Sequence, residues 1–155
     1  MTYSTSQVIG VRLNSTVTTA EHNVGTRTSG TDGTEFVYVQ ANGAITQYDA
    51  VGIDEDYQAA ALTKAMADDG WIIGFAQVAF ADNEYGWVAT KGANIRTRLA
   101  INCAADVALY TTGTAGVLDD ASTSQTKIDG VVSVSTITAA TNAEIIATWP
   151  KSTTF

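Results

Sequence analysis

The chain of 155 residues is short of the side chains on which most chemistry depends. It has one histidine, His22, and one cysteine, Cys103. A Ser/His/Asp or Cys/His catalytic set would have to use these two, and together they cannot build a zinc site within one chain. The sequence Ala20-Glu21-His22-Asn23 reads as a solvated loop, and Cys103, beside an apolar strand, reads as a small buried hydrophobe. A lone cysteine excludes an intrachain disulfide framework, which is compatible with a reducing cytosol. The N-terminus, MTYSTSQVIGVRLN, has neither the basic start nor the apolar run of a signal peptide, and no stretch approaches the roughly 20 apolar residues of a membrane span. The expectation is a chain made and folded in a cytoplasm. Charge is scarce too: 15% of residues are charged, with 8 basic against 16 acidic residues and a formal net charge of −8. The bases are scattered, only Arg96 and Arg98 lying close together, so neither nucleic acid nor an anionic membrane is an expected partner.

What fills the space is Thr, Ser, Ala, Gly and Val. An apolar fraction of 45% provides a core, and Thr and Val favour pleated, half-buried surfaces. Residues 1–33 read as an N-terminal arm. Thr16–Gly33 is polar, rich in Thr and Gly and free of aromatics, and Val8, Val11 and Leu13 before it can add one short edge strand. Residues 34–155 read as a β-barrel domain. Glu35–Gln40 alternates as a strand and Asn42-Gly43 is a turn signal. Strands are expected at Asp49–Ile53, Tyr85–Thr90 and Ile95–Ile101, the last with Arg96 and Arg98 on one face and Ile95, Thr97 and Leu99 on the other. Trp71–Phe80 reads as a buried strand pair bent at Gly74. Gln58–Ala67 is the only helical candidate, of a length marginal in water.

Shifting the chain by 56 residues brings Val51 onto Val107, Ile53 onto Leu109, Leu62 onto Leu118, Ile72 onto Ile128 and Gly74 onto Gly130. Two further residues bring Val88 onto Ile146. The pattern predicts two similar β units, about 44–92 and 100–150, neither with enough apolar surface to stand alone. The expected fold is all-β: a compact antiparallel barrel or sandwich made of both units, preceded by the extended arm.

No constellation for catalysis stands out. Asp54-Glu55-Asp56, Asp68-Asp69, Asp82 with Glu84, and Asp119-Asp120 lack the calcium-loop spacing and read as wet turns. Gly25, Gly30 and Gly33 are not a phosphate loop, because no Lys-Ser/Thr follows. No enzyme, metal or cofactor is therefore expected. The aromatics concentrate around Trp71–Trp87, which suggests an oligomer contact at Phe80, Tyr85, Trp87 and Tyr48. An exposed aromatic row could instead stack on sugar rings.

The strings GTEFVYVQANGAIT, VGIDEDYQAA, GFAQVAFADNEYGWV, VALYTTGTAGVLDD and IDGVV resemble small head decoration (cement) proteins of tailed bacteriophages, over roughly Gly33–Pro150. The resemblance implies a homotrimer that binds the major capsid protein on the outside of a mature virion head and clamps neighbouring subunits. Candidate capsid contacts are Val8, Val11, Arg12, Leu13, His22 and Arg27 on the arm. Lys91, Arg96 and Arg98 on the body are the others. The alternatives are another adhesive virion part, such as a head fibre base or tail protein, or a carbohydrate-binding module.

Overall fold

A computed structural model describes residues 11–153. Among the described residues strand and isolated bridges account for 48% and helix for 3%, so the molecule is all-β. The elements in chain order are β1 (Arg27–Ser29), β2 (Glu35–Ala41), β3 (Ala50–Ile53), β4 (Gln58–Ala61), α1 (Lys64–Asp68), β5 (Ile72–Ala76), β6 (Tyr85–Leu99), β7 (Ala108–Thr111), β8 (Val117–Asp119), β9 (Lys127–Ser133) and β10 (Thr141–Thr153).

The pairing forms two closed rings that share one strand. In the first unit, β2 pairs with β4, β4 with β3, β3 with β5, β5 with β6, and β6 with β2. In the second, β6 pairs with β8, β8 with β7, β7 with β9, β9 with β10, and β10 with β6. Each ring has one parallel pairing, β2–β4 and β6–β8, and is otherwise antiparallel. Closure leaves no free edge within either ring.

The duplication is therefore present, at a register different from the sequence pattern. The interior pair Val37↔Val88 corresponds to Ile95↔Ile145, and Ala41↔Ala59 to Leu99↔Leu118. Those offsets are 57 to 59 residues, not 56, and Val88 corresponds to Ile145, not Ile146. Bulges cause the slip: pairing shifts between Ile145 and Ala147 on β10, and between Ala108 and Leu109 on β7. Because side chains alternate with period two, a slip of one residue moves a side chain from one face to the other. The units also start earlier than the pattern suggested. The first opens at β2, and the second opens inside β6, where two separate strands were expected.

Hydrophobic burial explains why these segments close up. Inside the first ring Val37, Val39, Ala41, Ile45, Val51, Ile53, Ala59, Ala76, Phe80 and Val88 pack together. Fully burying each large side chain contributes about 1.5–3 kcal/mol before entropy is counted. Gly74 sits where strands meet closely: a Cβ there would lie 2.5 Å from Val88 Cγ1 and 3.2 Å from the Ala89 carbonyl oxygen. Close approach, and not a bend in a longer strand pair, is its role. β5 ends at Ala76, and only an isolated bridge, Ile45↔Phe80, follows it. The helical candidate splits. Gln58–Ala61 is strand β4, while α1 starts after Thr63, whose side chain accepts a hydrogen bond from Met66 N.

A larger cluster runs from the outer face of the first unit (Phe36, Tyr38, Phe75, Trp87, Ala89) into the interior of the second (Ile95, Leu99, Leu109, Leu118, Ile128, Ile145). The described part of the arm lies against that outer face. Leu13 is buried, Val17 bridges Tyr85, and β1 pairs with β2.

Candidate interaction surface

Four of the five basic residues considered for partner contact are engaged within the chain. Arg98 Nη1 is 2.6 Å from Asp49 Oδ1, and the Asp49 side chain is 4% exposed. Gly116, at φ +77°, leaves room for that carboxylate, since a Cβ there would meet Asp49 Cγ at 2.4 Å. Arg96 Nε donates to Asn142 Oδ1 at 2.6 Å, and Nη1 lies 3.8 Å from Glu144 Oε1. The Gln77 carboxamide spans the two units here, accepting from Arg96 N and donating to Arg96 O, both at 3.0 Å. Lys91 lies 3.6 Å from Glu35 and 4.1 Å over the Trp149 ring. Arg12 pairs with Glu21. Arg27 is exposed on β1.

Several expected surface residues are interior. Phe80 and Trp87, read as an oligomer contact, are each 3% exposed and belong to the two cores. Tyr48 and Tyr85 are half-buried. Leu13 is core, and Val11 packs against it. No strand forms at Val11 or Leu13; the short strand beside β2 is β1 instead. Val8 lies outside the described residues. His22 is not a solvated loop residue. Its ring meets Tyr38 edge-on at 5.2 Å and Trp87 at 5.3 Å, and its Nε2 is buried without a hydrogen-bond partner.

The acidic clusters shape turns. Asp54 Oδ1 accepts from the backbone N–H groups of Asp56 and Gln58. Asp82 Oδ1 accepts from Gly43 N, and Glu84 Oε2 from Ala81 N. The Lys64 ammonium, then the Thr126 hydroxyl, hold the Asp68 carboxyl below the usual range. Among the described residues, one group of three potential metal ligands lies close together: Cys103, Asp119 and Asp120, with ligand atoms within 4.8 Å of one another. Asp120 Oδ2 accepts from Ala104 N, and Asp119 Oδ1 from Asp120 N, so both carboxylates already serve the loop backbone. Burial, then the fields of Asp120 and Asp119, push the Cys103 thiol up to about 11. At neutral pH it is a protonated, weak nucleophile.

Of the exposed large apolar residues, Val24 and Ile72 lie on the first unit and five lie on the second, Ile101 among them in the turn after β6. Val132 (38%), Val134 (44%), Ile146 (48%) and Trp149 (52%) stand out on β9, β10 and the turn after β9. Ile146 and Val132 are cross-strand partners, and Val134 N donates to the Glu144 carbonyl at 3.0 Å. Arg96 lies opposite Glu144 on β6, so the strip carries an opposite-charge pair at one end. Trp149 is the only exposed aromatic among the described residues. Its indole N–H donates to Glu35 Oε2 at 3.0 Å, and it adopts φ +44°, uncommon for so bulky a residue. Sequence reading missed Val132 and Ile146 because the repeat pattern, offset by 56 and then 58 residues, placed them on buried Ala76 and Val88. The one available signal was the pair of two-residue apolar runs, Val131-Val132 and Ile145-Ile146, which a strand cannot bury on one face.

Charge divides along the same line. Residues 1–91 hold eleven acidic and four basic residues, net −7. Residues 92–155 hold five and four, net −1.

No protein-family model matches this chain, and no curated protein is significantly similar to it.

Proposed function

We propose that the chain is a capsid decoration protein that binds the outer surface of a tailed-phage head as a homotrimer. In that role it stabilises the mature shell by clamping neighbouring capsid subunits. The observation that carries the reading is the division of the surface: an apolar strip on the near-neutral unit, and an acidic remainder suited to facing water. The string resemblance supports it, as does the engagement of His22, Cys103 and the acidic turns in packing and backbone bonds. Linkage supplies the mechanism. A protein that binds only the assembled, expanded lattice stabilises it by its binding free energy, and many copies make the sum large. The carbohydrate-binding reading has less support, because a single exposed indole with Lys91 over its ring is not a stacking row.

Cosedimentation with empty capsids tests the proposal. The chain should pellet with mature, expanded shells and not with precursor shells. Equal recovery with both, or with neither, would sink it.

A further inference from the structure

We infer that the outer face of the second unit, centred on Val132, Val134 and Ile146, is the surface through which copies of this chain meet one another. The first reason is the internal comparison. The equivalent face of the first unit, carrying Phe36, Tyr38, Phe75 and Trp87, is buried, and residues 11–24 lie over it. Among the described residues the second unit has no such cover, because the chain that enters it is β6, already part of both rings. Its apolar strip of cross-strand neighbours stays in water.

The second reason selects the occupant. Two copies meeting through the first unit would bring two charges of −7 together, which repel strongly at close range. Meeting through the second unit puts the near-neutral halves in contact and the acidic halves at the far ends. The strip also carries both signs, Arg96 and Glu144, so in a closed ring of three the Arg96 of one copy can face the Glu144 of the next. This rests on the homotrimer of the proposed function and names the surface through which it forms, while its test uses the purified chain alone.

Sedimentation equilibrium of the full chain provides the test, with thermal melting as a check on folding. The wild type should self-associate, and more tightly in high salt, because salt screens the repulsion between acidic halves. The double variant Val132→Thr/Ile146→Thr keeps β-branched side chains and should raise the dissociation constant at least about tenfold with an unchanged melt. Ile146→Glu should do the same, while Ile72→Thr, at an exposed position on the first unit, should leave association alone. A monomeric wild type, or variants that associate as the wild type does, would overturn the inference. A monomeric wild type whose shell binding is lost in the double variant would assign the strip to the shell and overturn the copy–copy contact. Normal association without shell binding would sink only the capsid reading.

Discussion

The two units share a connectivity and differ in what they do with apolar surface. The first packs an aliphatic and aromatic cluster inside its ring and also buries its outer face. Both units bury polar groups as well: Thr34, Asp49, Gln77 and Thr90 in the first, and Thr97, Thr111, Thr126 and Ser133 in the second, are each at most 6% exposed. These find partners nearby. Thr97 Oγ1 donates to the Tyr48 carbonyl at 3.3 Å, and Ser133 Oγ to the Ser135 carbonyl at 2.9 Å. Among the described residues, nothing covers the outer face of the second unit. One ring topology is thus compatible with a unit whose outer face is covered and with a unit that keeps that face free. The difference lies in side-chain pattern and not in backbone plan.

Truncation in the shared core should have the largest effect on this arrangement. Phe75→Ala removes a fully buried ring on the outer face of the first unit and should cost about 3–5 kcal/mol in denaturant unfolding. Because β6 belongs to both rings, loss should come in one transition; two separated transitions would show that the units fold independently. Next is the tie between units. Arg98→Ala leaves the Asp49 carboxylate buried without its counter-ion and should cost about 1–3 kcal/mol. Adding Asp49→Asn should recover part of that loss, a coupling that a double-mutant cycle reads directly.

A smaller effect is expected at high pH, and from the second unit. With its folded pKa raised to about 11, Cys103 favours the native state below its ordinary range near 9. That contribution should fade as pH rises from 9 through 11. Thiolate absorbance in the native protein should titrate near 11, and alkylation at pH 8 should be much slower than in the unfolded chain. The smallest effect on stability should come from the bare face. Val132→Thr with Ile146→Thr should stay within about 0.5 kcal/mol of the wild type. A loss several times larger would mean that these side chains are buried.

Much of this was legible in the sequence. The alternation of Glu35–Gln40 and of Ile95–Leu99 marked both as strands, and it put Ile95, Thr97 and Leu99 on the inward face; β2 is buried on both faces, which alternation does not reveal. Duplication was legible as a recurring apolar pattern. The register was not, because bulges near Ile145 and Ala108 are set by three-dimensional closure and leave no mark in composition. The same limit misplaced the contact residues. Phe80 looks like an aromatic surface only until the first ring closes over it, and Trp87 only until the arm covers it, and the Arg98–Asp49 pair joins residues 49 positions apart that no local pattern connects.

The account depends most on Ile145 facing inward and Ile146 outward. Methyl NOEs on the chain would test this directly. Ile145 methyls should show cross-peaks to Ile95, its partner on β6, and Ile146 methyls should show none to Ile95, Leu109 or Ile128. The reverse assignment, Ile146 in contact with Ile95 and Ile145 without those contacts, would contradict the register and the bare face that follows from it.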